Sequence, residues 1–313
     1  MRWGKILKLG LAVTSALFIQ SSIVSGSEEP LDSGLAYLGE EPPGSTPQEF
    51  APQFLLEGTH SSPSFSPDGR EVYWSRYYSP ESGGGRTQHV FFSRLVDTEW
   101  TEPAVAPFSG QYSDGGPCFS VDGSRLFFGS NRPVVAGEEA LDAYVYDIWY
   151  VDKTRQGWGE PIHLDFNSEK METMPSVAAD GSLYFMTNRS GTRGIFDVFV
   201  AEPTPDGYAE PANIGAPITS AHMEVSPCVA PDESFILIAY ANRPAGNGLH
   251  ISFRQPDGSW SVPARLGSEI NSTSAQRFPR LSPDGRYLFF SKEGGGERRI
   301  YWVESEVLEQ YRP

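Results

Sequence analysis

Ten residues recur in this chain at matched positions and could do chemistry together. Three residues before a repeated proline stand His60, Asp114, Glu172, Glu224 and Gln276; at the end of the apolar run that follows stand Arg76, Arg132, Arg189, Arg243 and Lys292. Gathered around one opening, cations and carboxylates would grip an anionic sugar, a peptide terminus or a metal ion. Kept apart, each Arg would pin its own loop through carboxylate or carbonyl bonds, which a guanidinium makes well. A residue type repeated in every copy favours the second use, because an active site is asymmetric. The departures from the pattern are therefore informative. In the first copy His60 replaces the acid, and in the second the insert "PVVAGEEALDAYVY" adds Glu138, Glu139 and Asp142 to the same loops.

Other chemistries have little support. No pair among His60, His89, His163, His222 and His250 has metal-ligand spacing such as HExxH, so no metal and no cofactor is expected. Calcium on Asp114, Glu172 and Glu224 is the one ion these acids would suit. There is no GxSxG elbow. The Gly runs at 83–85 and 294–296 precede no helix and are connections, not phosphate cradles. Asp147 and Asp197, at the start of "DIWYVD" and "DVFVAE", are expected to tie a strand to a nearby turn. A glycoside hydrolase would need two carboxyls about 5 to 10 Å apart, one with a raised pKa, whereas arginines beside the acids would lower theirs.

The elements that position these residues follow from the repeat itself. "PSFSPDG", "PCFSVDG", "PSVAADG", "PCVAPDE" and "PRLSPDG" place an aspartate at 68, 122, 180, 232 and 284, with spacings of 54, 58, 52 and 52 residues. Each phrase reads as a hairpin: a short strand, a tight turn at Asp-Gly, then alternating large apolar residues. The "PDES" of the fourth copy is expected to turn differently. A third strand follows in each copy, and a fourth opens at "WTEP", "WGEP", "YAEP" or "WSVP". Four strands repeated at this period predict propeller blades. The fifth copy lacks its fourth strand, and "TPQEFAPQFL" upstream of the first copy looks like a strand without a blade. Joining them predicts a five-bladed, all-β propeller of four-stranded blades, closed by an N-terminal strand; a degenerate sixth blade is the alternative.

The phrase "SPDG..LFF" with "SNR", "DIWYVD", "GWGEP" and "SEINS" resembles the TolB-like, WD-like β-propeller repeat with a Pro-Asp-Gly core, over residues 46–303. "YLGEEPPGSTPQEFAP" and "IYWV" resemble exported bacterial proteins of this type. The resemblance implies a propeller with protein partners in the cell envelope, and it is nearly silent on activity.

Ahead of the propeller, Arg2, Lys5 and Lys8 flank an apolar run that ends in "VSGS", the pattern of a secretory signal peptide over 1–26, followed by an extension over 27–45 and the propeller over 46–313. Periplasmic or secreted location follows, with no membrane span after cleavage. The net charge of −16 becomes more negative without the leader and argues against nucleic acid as a partner. Cys118 and Cys228 hold the same position in copies two and four, too far around a ring for a disulfide, and read as buried thiols. The resulting expectation is a monomeric, non-catalytic binding or scaffold module that recognises an envelope protein or an oligosaccharide through its channel-mouth face. The alternative is a carbohydrate-active enzyme, hydrolase or lyase, working with the acids of that face.

Overall fold

A computed structural model describes residues 34–313, apart from 56–57, 79–86, 136, 142–144, 244–245, 273–274 and 295. The segment expected to be a signal peptide and Asp142 lie outside the described residues. Five four-strand sheets follow one another around a central channel. The first blade runs Ser64–Phe65, Glu71–Tyr78, Thr87–Val96 and Ala104–Val105. The second runs Asp114–Phe119, Arg125–Ser130, Asp147–Thr154 and Ile162–His163. The third runs Glu172–Val177, Leu183–Thr187, Asp197–Ala201 and Ala212–Asn213. The fourth runs Met223–Val229, Phe235–Ala241, Gly248–Phe253 and Ala264–Arg265. The fifth takes Gln276–Leu281, Tyr287–Gly294 and Glu297–Glu304 from the end of the chain and Gln48–Glu49 from near its start.

That last pairing is the expected closure. Gln48 sits opposite Trp302 and Glu49 opposite Tyr301, and the Phe50 amide donates to the Ile300 carbonyl at 2.8 Å. The strand is shorter than the sequence suggests, because Ala51 takes a positive φ of 42° and starts a turn. The residues just before it are part of the same junction: Tyr37 packs edge-on against Phe65 and Tyr287, each at 5.2 Å. The Trp100 indole donates to the Leu35 carbonyl.

Why the repeated phrase is needed is visible at each hairpin. In Ser-Pro-Asp-Gly the Asp68 carboxylate accepts the Ser66 hydroxyl at 2.5 Å and the Arg70 amide at 3.0 Å, and Gly69 turns the chain at φ 70°. Asp122 and Asp284 do the same, and these bonds, led by the one from Ser120, hold the Asp122 carboxyl below its usual range. The fourth copy keeps this turn, against expectation. Glu233 adopts the glycine's left-handed conformation at φ 55°, while the Ser234 amide still donates to Asp232. A non-glycine residue pays roughly 1–2 kcal/mol there, and Glu233 gains bonds to Tyr184 and Arg254.

The repeated proline has an equally local cause. Four inner strands carry a bulge, and the residue before the proline is left-handed: Gly116, Met174, Ser226 and Phe278. Proline, with no N–H to offer, fits where the ladder is interrupted.

Between blades the strand alternation does the packing. Phe127 faces the third blade beside Val177 and Phe185, while its neighbour Phe128 faces the first beside Tyr73 and Val90. Among the described residues there are five such apolar clusters, one for each junction of a five-membered ring. The closing junction is the aromatic one. Phe50 is 1% exposed, with its ring 4.9 Å from both Phe289 and Trp302. Phe50→Ala should therefore cost roughly 3–5 kcal/mol and open the ring at this seam. Urea denaturation of the variant checks it, and a loss no larger than that of an exposed residue would contradict the closure.

Candidate functional site

On the loop side of the ring, opposite the Asp-Gly hairpins, the sequence-predicted residues fall into separate clamps. Asp114, Glu172 and Glu224 are fully buried, and Gln276 nearly so. Each sits near the start of its inner strand, across from the end of the second: Asp114 faces Ser130, Glu172 faces Thr187, Glu224 faces Tyr240 and Gln276 faces Lys292.

In the second blade Arg132 donates from Nη2 to Asp114 Oδ1 at 2.7 Å and to the Phe108 carbonyl at 3.0 Å, and from Nε to Ser130 Oγ at 2.8 Å. Ser109 donates to the other carboxylate oxygen. In the third blade Arg189 reaches Glu172 from Nε at 3.2 Å and the Phe166 carbonyl from Nη2 at 2.5 Å, while Ser168 and Thr187 complete the carboxylate. Phe108 and Phe166 lie on the loops entering these blades. Both arginines thus tie an incoming loop to its own sheet, deep in the protein. Burial pushes the Asp114 carboxyl up in spite of Arg132, contrary to the lowered values expected for acids beside arginines.

The fourth blade is built otherwise. Among the described residues no ion pair joins Glu224 to a cation; Arg243 instead lies over the Tyr240 ring at 4.3 Å. Glu224 takes the Ser220 hydroxyl at 2.5 Å and lies beside the buried Asp197. Asp197 is occupied by the amides of Arg193 and Gly194 and by Asn213 Nδ2 at 2.7 Å, the expected tie between a third strand and its turns. Asp147 bonds His163 at 2.9 Å. Desolvation, and next the Asp197 charge, push the Glu224 carboxyl up to about 7.

The fifth and first blades differ again. Lys292 donates to the Glu269 carbonyl at 3.1 Å and lies over the Tyr301 ring. The His60 ring packs between Tyr77 and Phe278, with centroids at 4.8 and 4.7 Å. Beside it an open groove of about 920 Å³ is lined by Arg76, Tyr77, Tyr78, His89, Phe91 and Val105. Tyr78 is 47% exposed and stacked on His89, and Arg76 lies over the Phe91 ring. Glu138 and Glu139 of the second-blade insert are exposed. No group of metal ligands is found among the described residues.

One residue that the sequence reading passed over dominates the channel. The position after the repeated proline is Ser64, Cys118, Ser176, Cys228 and Arg280 in the five blades. Ser64 Oγ accepts the Phe119 amide and Ser176 Oγ the Val229 amide, each stitching one blade to the next. Both thiols are buried and free, as expected. Arg280 crosses the axis from the fifth blade to bond Cys118 Sγ at 2.9 Å, the Pro175 carbonyl at 3.3 Å and the Pro117 carbonyl at 3.4 Å. On its loop side only about 10 Å³ of space remains, beside Met174 and Phe278. The signal was in the sequence, as four small residues and one large cation at a single repeat position.

These features define the class of the protein as a five-bladed β-propeller whose channel is plugged by an arginine. No family model and no curated protein sequence matches the chain. Among solved structures, a putative TolB from Agrobacterium tumefaciens matches with a TM-score of 0.50 at 17% identity, over 79% of this chain and 77% of that one. A glycoside hydrolase matches with a TM-score of 0.51 at 13% identity, over 85% of this chain and 92% of that one. TolB from Acinetobacter baumannii has a TM-score of 0.47 at 14% identity over 79% of this chain, which spans about half (54%) of that protein's length. At these identities the likeness is one of fold. Among the described residues no helix is long and apolar enough to cross a membrane.

Glu224 gives this face a measurable pH signature. Its folded pKa, about 7, lies above the ordinary 4.5. The folded state therefore holds the extra proton between these values, and the contribution to stability falls as pH rises through them. Relative to wild type, Glu224→Gln should gain about 3 kcal/mol between pH 4.5 and pH 8. Urea midpoints at the two pH values check this, and an unchanged difference would contradict the assignment.

Proposed function

We propose that this chain is an exported, monomeric, non-catalytic binding module of the periplasm or the medium, with the loop-side face as its recognition surface. The observation that carries the reading is the groove of the first blade. There the repeat departs from its pattern, and Arg76 lines an open surface together with Tyr77, Tyr78 and Phe91. Aromatic faces take the apolar side of a sugar ring or a peptide side chain, and a guanidinium takes a carboxylate bidentately. An acidic oligosaccharide, or an acidic segment of an envelope protein, fits that chemistry. In this reading Asp114, Arg132, Glu172 and Arg189 brace the loops that form the face, His60 lies beside the first-blade groove, and Arg243, Lys292, Glu224 and Gln276 frame the fourth and fifth blades. The strongly negative net charge keeps nucleic acid away and leaves affinity to local contacts.

One observation favours a second reading. Glu224 and Asp197 are a buried carboxyl pair, one of them raised to about 7, which is the electrostatic signature of a general acid. Against it stands their complete burial. A carbohydrate-active enzyme would lose turnover in Glu224→Gln while the fold persists, and product analysis on each bound sugar detects any turnover in wild type.

The test is calorimetric titration with acidic and neutral oligosaccharides and with acidic peptides. Arg76→Ala and Tyr78→Ala should each weaken binding at least tenfold with a melting temperature within about 1 °C of wild type. A ligand recovered unchanged supports the module. Cleavage of the ligand, or undiminished binding by both variants, overturns it.

A further inference from the structure

Arg280 is a half-buried charge set in the channel. No carboxylate pairs with it among the described residues, and its three bonds go to two carbonyls and a thiol. A guanidinium has five N–H donors. Two of its bonds come from Nη1 and one from Nη2, and the buried Nε–H has no partner. The unspent donors are thus Nε–H and one N–H of Nη2. They belong to the two nitrogens that engage a carboxylate side-on in a bidentate pair. Leaving such donors unmet is costly, the more so for a charged group, so an anion beside the guanidinium would be favoured.

The space for one is present. On the hairpin side of Arg280 the channel widens to a cavity of about 100 Å³ to which all five blades contribute. Arg280, Ser64, Ser176 and Cys228 line its inner part, and Pro67, Pro231, Pro283 and Val121 of the hairpin turns line it as well. That is a polar, cationic floor beside apolar residues. The cavity is far too small for an oligosaccharide or a folded partner, but larger than the 10–15 Å³ or so that one water needs. It suits a molecule with a carboxylate at one end and a short apolar tail at the other. Since the whole chain carries −16, its long-range field gives an anion no help, and affinity must come from this contact.

We infer that the hairpin-side channel is a binding site for a small aliphatic monocarboxylate, held by the Arg280 guanidinium. This site is separate from the loop-side recognition surface, from which the plugged axis divides it. The ring of small residues serves it in two ways. Four short side chains leave room for the one long arginine, and two of them, Ser64 and Ser176, bond neighbouring blades together and fix the walls it reaches across.

The probe is sodium propionate, titrated calorimetrically into the purified wild-type protein at constant ionic strength, with sodium chloride as control. One saturable site is expected for propionate and none for chloride. Arg280→Met should lower the affinity at least tenfold, and Arg280→Lys should fall between. A wild-type readout covers the case in which these variants do not fold: amide chemical shifts of Cys118, Phe119, Val229 and Leu281 should move with propionate, while those of the first-blade groove at Tyr77 and Tyr78 should not. No saturable binding, shifts confined to residues outside the channel, or full affinity in a folded Arg280→Met would each overturn the site.

Discussion

The ring closes through two residues. Gln48 and Glu49 supply the outer strand of a blade whose other three strands come from the far end of the chain. An open array of sheets would leave one blade exposing its backbone and its aromatic face to water, a template for pairing with other chains. Closure removes that edge. It also places Phe50, Trp302, Phe289 and Tyr37 in one cluster, so the seam is held by stacked and edge-on aromatic rings. A short strand from near the start of the described residues thereby fixes the position of the last blade, and with it the position of Arg280 in the channel.

Within that ring, repetition and exception have different work. The aspartate turns and the proline bulges solve the same local problems in one blade after another, turning the chain tightly and bending the inner strand, and in the second and third blades an Arg–carboxylate clamp ties the incoming loop down. Exceptions mark where the blades stop being equivalent. The first blade exchanges an acid for His60 and opens an aromatic groove. The fourth keeps an acid that has no ion pair among the described residues. The fifth exchanges a small residue for Arg280 and fills the axis. Buried ion pairs are weak evidence for stability in themselves, since desolvation offsets much of their attraction. Here each also supplies the bonds that a loop carbonyl needs, as at Phe108 and Phe166.

Much of this was legible before any coordinates. The period of the repeat, the count of strands and the missing fourth strand were enough to reach five blades and their closure, because turns and alternation are local signals. Arg132 and Arg189 were legible as possible clamps. Less accessible were properties that depend on burial. The raised carboxyls of Asp114 and Glu224 arise from desolvation, which a sequence does not display, and proximity to arginines pointed the other way. Glu233 taking a glycine's conformation was hidden for a related reason, as its compensation comes from Tyr184 and Arg254 on neighbouring strands. Arg280 was visible as an odd letter in a column of small ones, but its reach across the axis emerges only when the five copies are arranged in a ring.

The central claim is that recognition belongs to the exceptional first blade and support to the repeated clamps. Hydrogen–deuterium exchange of the whole protein, with and without a saturating acidic oligosaccharide, tests it most directly. The account predicts new protection concentrated in Glu71–Tyr78 and Thr87–Val96 and the loops they carry, with the third and fourth blades unchanged. Protection centred on Glu224 and Asp197, or spread evenly over the five loop ends, would contradict it.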